Sequence, residues 1–131
     1  MIQGGSLIHI SDRSGVALGE CIKVIRATKK QIAYIGDVII VVVKRLNFLR
    51  FSKLKERQQR RFSRGTLHRA LLLRSCVFFN RVSGLFVRFN VNAGVLVNKK
   101  IVPLSNRIYG PVLFEFSIKF QSIGCVTRFI I

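Results

Sequence analysis

Lysine and arginine are the residues that give this sequence its chemistry, and the densest group lies between Lys44 and Gly65. Nine of the 22 residues in this stretch are Lys or Arg, and Glu56 is its only carboxylate. The whole chain has 23 Lys and Arg against 5 Asp and Glu, a formal net charge of +18. Basic residues with so few counter-charges neutralise phosphate, so the pattern predicts a polyanionic partner, and it favours nucleic acid over an anionic membrane surface.

The distribution of the cations favours contact with phosphates and recognition of the shape of folded RNA. Trp is absent and Tyr is scarce, so only Phe is left as a stacking platform for single strands. A solvated charged face usually mixes both signs, whereas the sign here is almost uniform. The clusters are Lys29-Lys30, Lys44-Arg45, Arg50 to Arg64 and Lys99-Lys100, with Arg69, Arg74, Arg81, Arg88 and Arg107 interleaved among apolar runs.

The patterns expected of an enzyme or a metal site do not occur in the sequence. No glycine-rich phosphate loop is present, and His9 and His68 lie far apart. Asp12 and Ser14 are close to His9, but this spacing predicts a turn in which they bond backbone amides. Three scattered cysteines without a CxxC pair predict buried, reduced thiols. We therefore expect no catalytic residue, no metal, no cofactor and no small-molecule substrate.

The elements that hold these cations are predicted to be strands. Short runs rich in Val, Ile and Phe, separated by tight turns, indicate an all-β barrel or sandwich, and a barrel of five or six strands would leave no sticky edge exposed. The 131 residues fit one domain. The predicted strands are Leu7 to Ser11, Cys21 to Ala27, Ile35 to Lys44, Arg69 to Phe79, Leu85 to Val97 and Arg107 to Phe116.

A hairpin is predicted around Ser83-Gly84. After this turn, Val87, Phe89 and Val91 would face inward, while Phe86 shares the other face with polar side chains. Phe86 is either surface filler packed under a loop or a contact with RNA or a protein.

No membrane span or secretory leader is predicted. The longest stretch free of Lys, Arg, Asp and Glu, Met1 to Ser11, is far shorter than the roughly 20 residues that a spanning helix needs. The first residues lack a basic region followed by a long apolar core. The chain is therefore expected to act where it is translated, or after loss of a presequence.

Several segments together resemble one family, the universal large-subunit ribosomal protein number fourteen. They keep their order and cover nearly the whole chain. The matching segments are MIQ at the start, DRSG at Asp12 to Gly15, CIKV at Cys21 to Val24, IGD at Ile35 to Asp37, VRFNVNAGVLVN at Val87 to Asn98 and RIYGPV at Arg107 to Val112.

The resemblance implies a small closed five-stranded β-barrel with an extra hairpin and a short C-terminal helical part. It implies a structural, non-enzymatic role in which the chain binds large-subunit rRNA and meets small-subunit rRNA across an intersubunit bridge. It also implies contacts with ribosomal proteins numbers three and nineteen and with a ribosome-silencing assembly factor. Charge pattern and resemblance together predict RNA contacts at Arg13, Lys23, Lys29, Lys30, Lys44, Arg45, Arg50, Lys53, Arg57, Arg60, Arg61, Arg64, Arg69, Arg74, Arg81, Arg88, Lys99, Lys100 and Arg107.

Departures from the family pattern predict further features. Cys76 to Phe79 replace a basic, glycine-containing segment, which predicts protein contacts at Phe78 and Phe79, and we also expect them at Phe116 and Phe120. About ten residues are inserted between Lys44 and Arg64, giving a basic insertion at about 46–63. Abundant Phe and Ile with scarce acids are typical of an organelle-encoded mitochondrial form, so we expect the mitochondrial matrix, with a bacterial cytoplasm or plastid stroma as alternatives.

The insertion is expected to form a short basic helix from Ser52 to about Arg64. Ser52 is a plausible N-cap, and Gly65 suits the left-handed position after a helix end. Clustered like charges and short length predict disorder in the free protein and folding on RNA.

Three functions are compatible with these observations. The favoured one is a structural rRNA-binding protein. The second is a soluble factor that acts transiently on RNA in translation or ribosome assembly, and the third is an enzyme of RNA modification or hydrolysis. Clustered carboxylates or a cofactor loop would have favoured the third, and neither is in the sequence.

Overall fold

A closed five-stranded β-barrel forms the centre of the molecule, as predicted. The structure is a computed structural model that describes residues 1–25 and 31–131. The order around the barrel is β1, β2, β3, β4, β7, and β1 closes it by pairing in parallel with β7, while the other pairs are antiparallel. The barrel strands are β1 (Leu7–Ile10), β2 (Val16–Val24), β3 (Val38–Leu46), β4 (Leu67–Arg74) and β7 (Ala93–Val97).

Shorter elements lie between and after the barrel strands. A two-stranded ribbon interrupts the path from β4 to β7, and a second, parallel pair closes the C-terminal part. These elements are α1 (Phe48–Phe51), α2 (Glu56–Arg61), β5 (Phe79–Asn80), β6 (Phe86–Val87), β8 (Ile108–Val112), α3 (Phe114–Lys119), α4 (Gln121–Gly124) and β9 (Thr127–Ile130). The predicted hairpin and the short C-terminal helices are therefore confirmed.

Two apolar cores share the wall made by β4 and β7. Alternate side chains of a strand face opposite sides of a sheet. Ala70 and Leu72 of β4 consequently face the barrel interior, while Leu71 and Leu73 face the C-terminal elements. This double burial explains why all five residues of β7 are buried. It also explains the uninterrupted buried apolar run from Ala70 to Leu73 in β4, where a strand with one solvated face would alternate with polar residues.

The uniformly apolar run in β3 resolves into two faces in the same way. Ile39, Val41 and Val43 have at most 1% exposure and fill the barrel, whereas the residues between them are half-buried on its outer side. Residues Lys23 of β2 and Arg69 of β4 lie in register with Ile40 and place two cations on this outer side.

Several predicted element boundaries are wrong, and each error has a physical reason. The run predicted as one strand from Arg107 to Phe116 changes to helix at Phe114, because Phe116 turns into the second core with Leu113. The run predicted from Leu85 to Val97 is two strands. It is interrupted where the Phe89 amide bonds the Ser75 carbonyl at 3.1 Å. Val91, predicted to face inward, is 42% exposed.

The single basic helix predicted from Ser52 to Arg64 is also wrong. The chain forms two helices, α1 and α2, and Ser52 is the C-cap of α1 instead of an N-cap. Helix α2 begins after Lys55 and ends at Arg61, with Phe62 as its C-cap. Gly65 does adopt the left-handed conformation (φ +86°), but its amide bonds the Val43 carbonyl at 2.9 Å, so it leads the chain into β4.

Candidate nucleic-acid interface

The role of the DRSG segment is explained by the groups that Asp12 holds together. Its carboxylate accepts hydrogen bonds from the Leu96 amide at 3.0 Å, from the Ser14 amide at 2.9 Å and from the Ser14 hydroxyl. The side chain is fully buried, and this burial raises the pKa of the Asp12 carboxyl even though the hydrogen bonds oppose the shift. The turn role predicted for Asp12 is thereby confirmed, and its bond to Leu96 of β7 fixes the backbone that carries the exposed Arg13.

Arg13 and Arg107 are brought together by backbone pairing. The Arg13 amide donates to the Arg107 carbonyl at 3.2 Å, and the Tyr109 amide donates to the Ser11 carbonyl at 2.7 Å. Two segments distant in sequence thus run side by side outside the barrel. Their basic side chains share one edge of the molecule.

Gly15 seats helix α1 on this edge. Its φ is +85°, and a Cβ there would lie 3.0 Å from the Phe51 Cα, so close that the α1 backbone would have to shift. The Gly15 carbonyl also accepts a hydrogen bond from the Asn47 amide at 2.8 Å, directly before the helix. A glycine is therefore required both for the backbone conformation and for the close approach of α1.

Lys53 and Lys55 lie on the turn between α1 and α2, and a glutamine holds that turn in place. The Gln59 side-chain amide donates to the Phe51 carbonyl at 3.2 Å and to the Leu54 carbonyl at 3.0 Å. Phe51 and Leu54 are partly buried against the barrel core. The apolar contacts of Phe51 and Leu54 and the hydrogen bonds from Gln59 therefore both hold this turn in place.

These elements enclose a basic cleft of about 540 Å³. The guanidinium carbon of Arg50 lies 4.2 Å from the centre of the Tyr109 ring, a cation–π contact that fixes the arginine on one wall. Five of the described lining residues are cationic and none is a carboxylate. The cleft is lined by Arg13, Arg50, Lys53, Leu54, Lys55, Gln58, Leu104, Ser105, Asn106, Arg107 and Tyr109.

The cleft contains residues that sequence reasoning missed. Lys55, Asn106 and Tyr109 were not among the predicted contacts, although Tyr109 belongs to the RIYGPV segment that carried the resemblance. The signal that could have identified Tyr109 is that tyrosine is scarce in so basic a chain. An aromatic ring next to an arginine can form a cation–π contact with it.

Helix α2 carries a second group of cations beside the cleft. Arg57, Arg60, Arg61 and Arg64 are exposed on and just after α2. Arg60 pairs with Glu56 one turn earlier at 2.8 Å, an exposed pair of small energetic weight. The helix is held to the barrel by Phe62, which is only 5% exposed. Its cations therefore face solvent on a helix that is fixed to the barrel.

Most of the other predicted RNA-binding residues are also exposed, and they are spread over the molecule. Lys44 pairs with Glu20 at 2.6 Å on the outer face of the barrel. Asn98 shapes the turn that carries Lys99 and Lys100, because its side-chain oxygen accepts from the Lys100 and Val102 amides. Lys29 and Lys30 lie outside the described residues. The predicted contacts that are exposed outside the cleft and α2 are Lys23, Lys44, Arg45, Arg88, Lys99 and Lys100, and Arg69 is half-buried.

Two predicted RNA contacts, Arg74 and Arg81, point into the protein. The Arg74 guanidinium donates to the Tyr109 carbonyl at 3.0 Å, and burial lowers its pKa from the ordinary value. A Cβ at Gly110 would collide with it, so the glycine makes room for the arginine. Arg81 pairs with Glu115 at 3.0 Å and also donates to the Ile131 carbonyl. Both arginines join the barrel and hairpin to the C-terminal elements.

The predicted protein-contact residues divide in a similar way. Phe78 is 64% exposed and meets the ring of Phe86, 66% exposed, edge to face with centroids 6.3 Å apart. Phe79 is half-buried against the second core. Phe116 is buried there, and Phe120 stacks on it with centroids 6.0 Å apart. The structure therefore places Phe116 in the interior, where its ring is occupied by contacts within the chain.

The described residues contain no group of three His, Cys, Asp or Glu side chains placed to hold a metal ion. Within the same part of the chain, none of the helices has the length and apolar character needed to cross a membrane. Of the three thiols, Cys21 is buried, which raises its pKa, whereas Cys125 is exposed, contrary to the expectation that all are buried.

Comparison with known proteins gives two findings. The family model described as "Ribosomal protein L14p/L23e" matches residues 1–131. The chain is also similar to the "Large ribosomal subunit protein uL14c" of Helicosporidium sp. subsp. Simulium jonesii. The two are 32% identical over 117 residues, which cover 89% of this chain and 88% of that relative.

Proposed function

From the premise that the chain belongs to the ribosomal protein L14p/L23e family, and is thus a structural protein of the large ribosomal subunit, we propose that it binds large-subunit rRNA through the basic cleft and helix α2. The observation that carries the proposal is the cleft itself. Five cations from three separate segments converge there, and among the described residues that line it no carboxylate offsets them.

The use of the acidic residues supports the same proposal. Glu20, Glu56 and Glu115 pair with Lys44, Arg60 and Arg81, and the Asp12 carboxylate is buried on backbone amides. The few carboxylates therefore act inside the molecule, and the cleft keeps its charge for an external anion. Neutralising phosphates releases counterions, which gives such a surface strong affinity for RNA.

Particle fractionation tests the proposal against the alternative of a transient RNA-binding factor. Tagged protein should sediment with large subunits at one copy per particle and should stay bound after a high-salt wash. Protein that washes off, or that appears only on immature particles, would favour the transient factor. A matched pair of variants compares rRNA binding through the cleft and through the hairpin, with Arg107→Ala in the cleft and Arg88→Ala on the hairpin. Arg107→Ala should weaken rRNA binding modestly and leave the fold intact.

The hairpin patch is proposed to contact another ribosomal protein. Phe78, Val82, Leu85 and Phe86 expose apolar side chains at the tip of the hairpin, and we call these four residues the hairpin patch. Exposed apolar residues that cluster in this way are typical of a protein interface. By resemblance, the candidate neighbours are ribosomal proteins numbers three and nineteen, and a ribosome-silencing assembly factor is a further candidate. Photo-crosslinking from position 82 in whole subunits would identify the neighbour, and a crosslink to rRNA alone would refute this part.

The remaining proposals concern the place of the protein in the cell. We expect a contact with small-subunit rRNA across an intersubunit bridge, which crosslinking in joined but not separated subunits would reveal. The chain is proposed to act as one domain with an insertion at about 46–63. The composition, with 11 Phe and few acids, supports a mitochondrial form in the matrix. Immunogold labelling or fractionation of organelles would distinguish this from a plastid stroma or a bacterial cytoplasm.

A further inference from the structure

The basic cleft is concave, and this shape indicates that it binds more than a phosphate backbone. Its volume of about 540 Å³ falls within the roughly 300–1,000 Å³ of sites that enclose a small ligand. A surface that only follows the phosphates of a duplex has no need of such a recess. Resting on the proposed rRNA binding, we propose that the cleft receives one unpaired nucleotide of the rRNA, whose base stacks on Arg50 and whose phosphate binds between Arg13 and Arg107.

The base-stacking part rests on the pairing of Arg50 with Tyr109. The guanidinium carbon of Arg50 lies 4.2 Å from the ring centre, so a cation–π contact holds this side chain at the wall of the cleft. A guanidinium plane has two faces, and in the proposed arrangement the base stacks on the face of Arg50 turned away from the ring. Proteins that bind single-stranded or bulged RNA stack splayed bases on aromatic rings and on arginine planes of this kind.

The phosphate part rests on the pairing of Arg13 with Arg107. Their backbones are joined by a 3.2 Å hydrogen bond, so the two guanidinium groups start from neighbouring points on one edge. Guanidinium groups bind phosphate oxygens in a bidentate geometry that lysine cannot reproduce. Asn106 also lines the cleft, and its exposed amide offers a donor and an acceptor to the edge of a base.

The site is built before the ligand arrives. Asp12 is fixed by buried hydrogen bonds, Gly15 allows α1 to approach, and Gln59 ties down the turn that carries Lys53 and Lys55. Preorganisation reduces the entropy lost on binding. The cations of α2 lie beside the cleft and suit the flanking phosphates of a polymer, which favours a nucleotide within rRNA over a free one.

The test compares two RNA hairpins that differ by one nucleotide, one with a single-nucleotide bulge and one with a continuous stem. The wild-type chain should bind the bulged hairpin at least about fivefold more tightly, which is the lower end of the contribution of one stacked base. Arg50→Lys keeps the charge and removes the plane, so it should abolish that preference. The matched control, Arg57→Lys on α2, should keep it.

A spectroscopic measurement reports on the cleft directly. The chain has no Trp and two Tyr, so the Tyr34→Phe variant leaves Tyr109 as its only strong emitter. Bulged RNA should change Tyr109 emission more than the continuous stem does, and this readout needs no cleft mutation to fold.

The possible outcomes distinguish failure of the unpaired-nucleotide inference from failure of the proposed function. Equal affinity for both hairpins, with rRNA fragments still bound tightly, would overturn the unpaired-nucleotide inference and leave the proposed function standing. Failure to bind rRNA fragments at all would overturn the proposed function. Binding of a free nucleoside monophosphate as tight as that of the bulged hairpin would identify a small-molecule site and would also refute the inference.

Discussion

Two long connections leave the same barrel and place their arginines and phenylalanines differently. The basic connection, residues 47–66 between β3 and β4, buries Phe62 and packs Leu54 on the barrel while its cations face solvent. The hairpin connection, residues 75–92 between β4 and β7, buries Phe89 at its base and exposes Phe78 and Phe86 at its tip. Both segments contain Phe and Arg. What differs most is the arginines, because those on and just after α2 are exposed, whereas Arg81 of the hairpin connection pairs with Glu115.

The comparison also shows that a count of arginines is a poor guide to an RNA surface. On the basic connection, Arg57, Arg61 and Arg64 are exposed, and only Arg60 pairs with a carboxylate among the described contacts. The other connection directs Arg81 to Glu115, and Arg74 just before it bonds the Tyr109 carbonyl. The same residue type thus presents charge on one connection and braces the fold on the other.

The largest expected effect is the response of RNA binding to salt. If about six to ten phosphates are neutralised, affinity for isolated rRNA fragments should fall roughly 10³- to 10⁵-fold between about 50 and 200 mM salt, using duplex-DNA slopes as a guide. Filter binding would measure the slope. Lys53→Gln on the basic connection should reduce it by about one unit, whereas Arg81→Gln should leave it nearly unchanged. Equal changes for the two variants would erase the distinction between the connections.

The next effect concerns stability and uses one phenylalanine from each connection. Phe62→Ala should lower the free energy of unfolding by about 3–5 kcal/mol, because it empties a buried position in the barrel core. Phe86→Ala should change it little, because the ring is 66% exposed. Urea denaturation would measure both. Hydrogen exchange should also show faster exchange through residues 47–66 in Phe62→Ala only, and similar losses from both variants would contradict the comparison.

Loss of exposed rings should reduce incorporation into subunits more when the rings lie on the hairpin connection than when they lie on the basic connection. The double variant Phe78→Ser, Phe86→Ser should weaken docking by about 3 kcal/mol, since burying each ring contributes about 1.5–3 kcal/mol. The control is Phe48→Ser, which removes a ring that is 80% exposed on the basic connection. Competition against wild-type protein during subunit assembly would give the ratio. A structure of the particle with both hairpin rings facing solvent or RNA alone would end this proposal.

The smallest expected effect is a dependence of stability on pH through His68. Its Nε2 lies 3.0 Å from the Arg61 carbonyl and 3.0 Å from the Thr66 hydroxyl, at the base of the basic connection. Burial, as the largest cause, lowers the pKa of His68 below its ordinary value. The unfolded chain therefore binds a proton at higher pH than the folded one. This part of the stability is present above the unfolded pKa of about 6.5 and is lost as pH falls below it.

Denaturation at about pH 7.5 and about pH 5.5 would test this assignment, since the two values lie on either side of the ordinary histidine pKa. The wild-type chain should lose more stability than His68→Gln over this interval. His9 is exposed on the barrel, so His9→Gln serves as the matched control and should behave like the wild type. An identical loss in the wild type and in His68→Gln would show that another group is responsible.

The sequence predicted the strands and the class of partner well, because those depend on patterns that are local. The run from Val38 to Val43 could only be a strand in a chain this rich in turns, and the surplus of cations needed no structure to be informative. The closed five-stranded barrel came from the resemblance, since composition alone also allowed a sandwich. The cleft could not be predicted, because it depends on backbone pairing between Arg13 and Arg107, which are far apart in sequence.

The errors arose where a distant contact outweighed a local preference. Ser52 has the chemistry of an N-cap, yet Asn47 starts α1 one turn earlier with its own side chain accepting from the Arg50 amide. Phe62 anchors α2 to the barrel, a contact that the local pattern did not predict, whereas the expected disorder of the free segment stays a prediction. Phe116 was expected to meet another protein, but its ring is buried in the second core, which residues of β4 and β7 share.

The parallel pairing of β1 with β7 has a consequence for how the chain is made. His9 lies opposite Ala93, and Ile10 opposite Gly94, so the barrel is closed by strands from opposite ends of its sequence. Chains emerge from the ribosome at about 5–20 residues per second, so β1 waits several seconds for its partner. During that interval the open sheet of a nascent chain exposes Ile and Val side chains that aggregate readily. The pairing order means that the barrel cannot close before β7 has been synthesised.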